Sequence, residues 1–575
     1  MRAHTTRRYW LCGMVLALLQ YALLLRLSYV HYALPDDIEL ARALAGYWGG
    51  VPVPFAANIH TLLAFPLAWL YGAMPTVPWF GVVQALMLLF ASTLATKALM
   101  QLMARCQRPP WLGIPLSLLF WVAFLMEGST TVTYTVTAAI LSSAGIFQLF
   151  AVDLSLSQSR ARGLALSLVP LVLGYLLRQV AALPAAAMWL TSLFARLCLL
   201  PPETRNAALR PLGRFCLMAA LLFAGLMLLR EADITLQNQR DFTRWQRARI
   251  QLTDYDDSAR LTADDLATVG WSPAELALYR TWYFWDANMD AAALNALHQR
   301  HEALPAADAV DPLRRVWRAW LRLDATSEAF AHWWLAALLL AALCWLALLP
   351  TRLRRTIAMA APLLILLAAA ALLAYLALAG RFPRRAAASV LFPALAALYA
   401  LACTLMPRGW HARNLAPAAA ALLCAAVMGS TAYTAWRYCF NPTTYNFTTP
   451  TAAEVQYAAA HPEQLLFVDS TVPLPTAMFA AVPRTANLLP LQSWNSRAPG
   501  MLATLTAFGL DGLDFSITAL LREDVRLISA EPAAQSELLA YLSKRAGTPV
   551  AASLDARAGS LYVLRLHTVP SASAP

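Results

Sequence analysis

The hydrophobic positions of this chain gather into long blocks separated by short polar breaks. A run of about 20 apolar residues is long enough to cross a bilayer's hydrocarbon core as a helix. The blocks lie at 10–32, 78–103, 111–126, 132–152, 164–177, 182–200, 215–229, 333–349, 357–378, 387–405 and 415–436, which predicts about eleven transmembrane helices. A further apolar stretch, 61–71, is short and contains Pro66, so it reads as a re-entrant or interfacial piece. Two sections break the pattern. Residues 231–330 are rich in charge, Trp and Tyr, with helices expected over 241–250 and 271–285. There Trp282, Trp285, Trp317 and Trp320 form either a layer on the headgroups or an ordinary core. Residues 439–575 mix β-like runs (464–468, 525–529, 560–566) with helical stretches (452–460, 533–545), the signature of a small α/β domain.

Basic residues give these blocks a direction. Arg2, Arg7 and Arg8 precede the first block, which places the N-terminus in the cytoplasm. That block is too long for a signal peptide and ends in no small-residue cleavage site, so it is expected to stay attached. Alternation then puts Arg105 and Arg108, Arg160 and Arg162, Arg196 to Arg214, Arg352 to Arg355, and Arg408 and Arg413 inside. Counting 61–71 as a crossing would move every one of these clusters outside, against the positive-inside bias. The expected organisation is a membrane region 1–230 with an acidic first outer loop at 31–59. A large extracytoplasmic loop (231–330), further membrane helices (331–438) and an extracytoplasmic domain (439–575) follow. The C-terminus is therefore expected outside.

Composition adds little to the class and removes some functions. The chain is 59% hydrophobic and 13% charged, with mean hydropathy +0.53. Soluble domains carry about 25% charged residues. The net charge of +12 comes from residues at block ends, which suits anionic headgroups and not nucleic acid. The eight cysteines lie mostly inside apolar blocks without CxxC spacing, so neither a zinc site nor a disulfide framework is expected. Asp254, Asp256 and Asp257 lack the rest of an EF-hand loop.

The chemistry-bearing residues fall on one predicted face. Asp36, Asp37 and Glu39 follow the first block directly, where a carboxylate is costly unless it meets water, a metal or a polar cleft. The plainer reading of the pair is a solvated helix stop and an N-cap for a short helix over 38–47. The same face holds Asn58, His60, Glu127, Arg178, Arg230, Arg381, Arg384 and Arg385. A carboxylate can take a proton from an acceptor hydroxyl, or hold a divalent ion such as Mg2+ or Mn2+ through Asp36, Asp37 and Glu39. Arginines grip a phosphate through paired hydrogen bonds. His60, Asn58 and Glu127 are candidates for binding substrate, and the Ser/Thr-rich start of the 132–152 block gives that helix a polar stripe. The stretch Gln492 to Pro499 has the composition of a surface loop that could bind sugar.

This arrangement resembles the polytopic glycosyltransferases of the GT-C superfamily, whose bacterial members use polyprenyl-phosphate sugars. In them an acidic residue or pair follows the first helix, as Asp36-Asp37 does here, and an outer-face C-terminal portion is common, as 439–575 would be. The longer Trp-Trp-Asp signature of oligosaccharyltransferases is absent. The resemblance implies an inverting transferase in a bacterial inner membrane. Asp36 or Asp37 would be its base or metal ligand, and Arg178, Arg381, Arg384, Arg385 or Arg230 its donor-phosphate ligands. It also implies a lipid-linked sugar donor and a glycan, lipid or protein acceptor. The rival readings are a polysaccharide polymerase or O-antigen-type ligase, a transporter or flippase, and a membrane scaffold without catalysis.

Overall fold

The computed structural model describes residues 2–54, 58–154, 157–254, 261–303, 331–348, 355–378, 383–405, 453–474, 476–510 and 519–570, with isolated positions 425 and 429. Among them, nine helices are long and apolar enough to cross a membrane. They are α1 (Arg2–Leu27), α4 (Trp79–Arg105), α5 (Pro110–Thr130), α6 (Tyr134–Ala151), α7 (Ser157–Leu177), α8 (Gln179–Cys198), α9 (Pro202–Leu236), α15 (Arg355–Leu378) and α16 (Arg384–Leu405). α14 (Ala331–Leu348) is apolar as well and packs against α16. Ten of the expected blocks thus coincide with helices, and the block at 415–436 falls outside the described residues apart from two positions. The chain is a multi-pass membrane protein. The stretch expected not to cross forms α3 (Thr61–Ala73), whose 13 residues extend only about 20 Å at 1.5 Å per residue.

Small residues let the central helices approach. α6 packs antiparallel on α7, where a Cβ at Gly145 would lie 2.6 Å from the Ser167 carbonyl oxygen. Seven residues along each helix, a Cβ at Gly174 would lie 3.2 Å from the Ala138 carbonyl oxygen. Without a hydrophobic drive between helices in lipid, such close backbone contact is a main source of association. α6 and α16 are buried along nearly their whole length and form the centre of the bundle. A charge lies inside it. Lys97 on α4 donates to Gln148 Oε1 at 2.7 Å and stands 5.4 Å from the Trp10 ring.

At one end of the bundle, Arg105 donates to the Phe150 carbonyl and Arg196 to those of Leu149 and Val152. These arginines satisfy the last carbonyls of α6. Arg108 reaches the Cys403 carbonyl at the same end. The opposite end carries Asp36, Glu127, Arg178, Arg230 and Arg385, so the two charge groups separate across the bundle as the alternation expects.

Beyond that second end lies a joint soluble unit. α10 (Arg240–Asp254), α11 (Ala263–Ala267), α12 (Pro273–Arg280) and α13 (Ala291–Ala303) share one apolar core with the C-terminal region. Trp285 belongs to that core and donates to the Pro490 carbonyl at 3.0 Å. Trp317 and Trp320 lie outside the described residues. The C-terminal sheet runs in the order β4 (Leu488–Pro490), β3 (Leu465–Val468), β5 (Val525–Ser529), β7 (Leu561–Thr568), β6 (Val550–Ala558). The first three strands are parallel, and β7 and β6 add antiparallel. The all-apolar run Leu465–Val468 suits a central parallel strand buried on both faces. Helices α17 (Ala453–Ala460), α18 (Pro499–Ala507) and α19 (Ser536–Ala546) complete the unit. β1 (His31–Tyr32) pairs with β2 (Thr131–Val132), joining the loop after α1 to the turn before α6.

Candidate functional site

The site begins with helix α2 (Pro35–Ala45). Pro35 opens it with a preset φ, and Asp36 and Asp37 face its positive N-terminal pole. Gly46, at φ +79°, ends it in a left-handed turn that a side chain would strain. Adjacent helical residues point about 100° apart, whereas residues three apart share a face. The acids divide accordingly. Asp36 and Glu39 line a cavity of about 1000 Å3. Asp37 turns inward, fully buried, and accepts the Tyr134 N–H at 2.7 Å at the N-terminus of α6. Burial holds its carboxyl well above the usual carboxylate range, against the opposing Tyr134 hydrogen bond. The structure therefore separates the sequence pair into one cavity-facing acid and one that fastens α2 to α6.

The cavity wall comes from all three regions. Asp36 pairs with Arg385 of α16 at 3.6 Å. Glu39 is buried, 3.7 Å from Arg42, and accepts from Trp48 Nε1 at 3.0 Å and Ser493 Oγ at 3.5 Å. Burial raises its carboxyl, and Arg42 and the two hydrogen bonds oppose the rise. The loop unit adds Arg249, Thr253, Thr281 and Trp282. The sheet contributes its carboxyl edge: Asp469 and Ser470 follow β3, and Gln492, Ser493 and Trp494 follow β4. Open α/β sheets bind their ligands at this edge. The 492–499 stretch is thus no surface loop. It is largely buried, with Gln492 to Trp494 facing the cavity and Arg497 donating from Nε to the Phe284 carbonyl at 2.8 Å.

A second cavity of about 440 Å3 adjoins the first. Both are lined by Asn58, Arg178, Arg249, Ile250 and Trp494. The second adds Arg230, Arg247, Glu231, Gln179, Thr243, Val180 and Met227. Val180 and Met227 belong to membrane helices and are 65% and 48% exposed, so this cavity borders the lipid-facing surface. Arg178 occupies the sharp break between α7 and α8, with its guanidinium 4.8 Å from the Tyr134 ring centre. Arg247 meets Glu231 at 3.3 Å. Gln179 Nε2, Thr243 Oγ1 and Trp494 Nε1 are buried without a hydrogen-bond partner.

Other sequence candidates go elsewhere. His60 is buried, with Nδ1 accepting the Leu62 N–H and Nε2 beside the Leu226 carbonyl at 2.9 Å. Both ring nitrogens are used within the protein, and burial lowers its pKa. Glu127 does not meet Arg178. Arg384 clasps it instead through two nitrogens, at 2.7 and 2.5 Å, with the guanidinium 4.7 Å from the Trp333 ring. Neither Glu127 nor Arg384 lines the two cavities. Arg381 lies outside the described residues. Asp36, Asp37 and Glu39 do not converge as a metal-ligand set, because each is committed to a different partner. Among the described residues no group of three or more His, Cys, Asp or Glu side chains could hold an ion.

Sequence reasoning missed Arg249 and Asp469, while Trp494 lies in the 492–499 stretch already singled out for sugar. Only the alternation of α10 could have pointed to Arg249. Asp469 is brought in by tertiary docking.

No protein-family model and no curated protein matches the chain. Solved structures similar to it include the crystal structure of ArnT from Cupriavidus metallidurans bound to undecaprenyl phosphate. That likeness has 14% identity and a TM-score of 0.35, and covers 98% of this chain and 99% of that one. The cryo-EM structure of arabinofuranosyltransferase AftD from Mycobacteria is similar at 12% identity and a TM-score of 0.41. It matches over 98% of this chain and 40% of the AftD chain.

Proposed function

We propose that the protein is an integral membrane glycosyltransferase that moves a sugar from a polyprenyl-phosphate donor to a cell-envelope acceptor on the extracytoplasmic face. The observation that carries this reading is the pair of joined cavities. One is rich in arginine and borders the lipid-facing surface. The other bears acids and is roofed by the soluble unit. Arg178 stands where they meet.

A lipid-linked donor enters sideways from the bilayer with its phosphate at headgroup depth, among Arg178, Arg230 and Arg247. The acceptor occupies the larger cavity. Its hydroxyl oxygen attacks the anomeric carbon and forms the new C–O bond. The bond from that carbon to the phosphate oxygen breaks, and its electron pair leaves with the phosphate, whose charge Arg178 offsets. The hydroxyl proton passes to Asp36, kept in place by Arg385. Attack from the face opposite the leaving group inverts the anomeric centre.

Native mass spectrometry of the full chain in nanodiscs tests the donor half, with undecaprenyl phosphate as probe. Arg178→Ala combined with Arg230→Ala should weaken its binding at least about tenfold, the loss of one or more charge-assisted hydrogen bonds. Asp36→Asn should leave it within about twofold, well below the effect of a lost charge-assisted bond. Equal binding by wild type and the double variant would refute the proposal.

A further inference from the structure

The two walls of the larger cavity differ in charge. The membrane-side wall and the loop unit supply Arg42, Arg178, Arg249 and Arg385 along with Asp36 and Glu39. From residue 468 onward, the wall supplies Asp469 and Glu537, the amides Gln492 and Gln535, and Ser470 and Ser493, with no basic residue among the described ones. A phosphate is therefore drawn to one side of the chamber and repelled from the other.

Two buried atoms on the sheet side have no partner. Asp469 is 3% exposed. Its Oδ1 accepts the Thr471 N–H at 2.9 Å and the Thr471 hydroxyl, while its Oδ2 accepts nothing. Trp494, 6% exposed, has an indole N–H that donates to nothing. A buried acceptor and a buried donor left unmade cost about 1–3 kcal/mol each unless a ligand or water completes them. Around them the polar groups are held in place. Gln492 Oε1 accepts the Ser470 N–H at 2.7 Å, and Gln492 Nε2 donates to Gln535 Oε1 at 2.9 Å. The backbone at this edge of β3 and β4 is thereby fixed, and the two unpaired atoms belong to residues that line the cavity.

We propose that this sheet-side wall is the acceptor-sugar subsite, and that it takes a neutral or amine-bearing sugar and rejects an anionic one. Asp469 Oδ2 accepts a hydrogen from a sugar hydroxyl or ammonium, and Trp494 Nε1 donates to a sugar oxygen. A carboxylate or phosphate on the acceptor ring would face Asp469 and Glu537 with no cation among the described residues of that wall. The inference rests on the transferase reading for the word acceptor, but the charge selection follows from the wall itself.

The test uses the full chain in nanodiscs and three probes: methyl glucoside, methyl glucosaminide and methyl glucuronide. Saturation-transfer NMR titrations give their relative affinities, and undecaprenyl phosphate binding is measured in parallel. In wild type the amine should bind best and the uronide worst, at least about tenfold apart, the range for a hydrogen bond to a charged group. Asp469→Asn should bring the amine and the uronide to within about threefold of each other, since the charged hydrogen bond is then lost and Glu537, alone on that wall, supplies the remaining preference. Asp469→Glu should restore the order. If Asp469→Asn does not fold, judged by its thermal transition, Glu537→Gln should narrow the same ratio. A wild-type protein that binds the uronide as well as the amine overturns the proposal, as does an Asp469→Asn protein that keeps the full preference. Loss of undecaprenyl phosphate binding with the sugar order intact would refute the donor assignment and leave this subsite standing. The reverse result would do the opposite.

Discussion

Replacing Glu39 with Ala should open the seam between the membrane helices and the soluble unit. Glu39 and Arg42 form a buried pair, with side chains 10% and 4% exposed and 3.7 Å between charged atoms. Glu39 also accepts from Trp48 and from Ser493, so one carboxylate ties α2, the turn after it and the loop after β4. Truncation leaves Arg42 buried without a counter-charge. Its guanidinium keeps the Tyr47 ring at 4.2 Å and the Trp48 ring at 5.2 Å, but these contacts exist in wild type and compensate for nothing new. Breaking such a pair from one side costs about 3–5 kcal/mol. At about 1.4 kcal/mol per tenfold, that is a hundred- to several-thousand-fold larger population of the opened seam.

Hydrogen exchange on the protein in nanodiscs reads this locally. Protection should fall by that factor over α2 and residues 488–497 and stay unchanged in α6 and α16. Arg42→Ala should have a similar effect. The Glu39→Leu, Arg42→Leu double variant should recover most of the protection, because an apolar pair leaves no buried charge. The reasoning is refuted if Glu39→Ala affects exchange no more than Asp241→Ala, whose partner Arg244 is also highly exposed. It is also refuted if the double variant is as open as the sum of the singles.

Three further outcomes follow from the same contacts. Asp36→Asn should lower glycosyl transfer about 10²–10⁴-fold, the range for loss of a general base, while Asp37→Asn should act mainly on stability. Comparable transfer by wild type and Asp36→Asn would remove Asp36 from the base role. Because burial raises the Asp37 carboxyl in the folded state, its contribution is fullest below the unfolded value of about 3.9 and declines as pH rises toward the folded value. The thermal midpoint of wild type relative to Asp37→Asn should therefore fall between pH 4 and pH 8; a rising difference would show that the Tyr134 hydrogen bond outweighs burial. Gly145→Leu should separate α6 from α7, since even a Cβ there lies 2.6 Å from the Ser167 carbonyl oxygen. A disulfide cross-link scan of that helix pair should lose its native pattern, and an unchanged pattern would deny the close packing.

The sequence alone determined the membrane class, the position of nearly every described crossing helix, and the split of charge between two faces. Those properties are set by local hydrophobicity and by how many residues a bilayer needs, and neither depends on a distant partner. It left the division of the three acids open: the helix begins at Pro35, ahead of the expected 38–47, and only that start puts Asp36 and Glu39 on the cavity side with Asp37 apart. The tertiary structure alone decided which arginine meets which acid. Glu127 lies 257 positions from Arg384, and Asp36 finds Arg385 across the whole bundle. Charge pairing depends on the order in which helices pack, and in this chain small residues such as Gly145 and Gly174 shape that packing without revealing their partners. The sheet edge was legible only in part. The 492–499 stretch holding Trp494 stood out by composition, but Asp469 carries no motif, and both become part of the site only because β3 and β4 end where the soluble unit closes over the first outer helix.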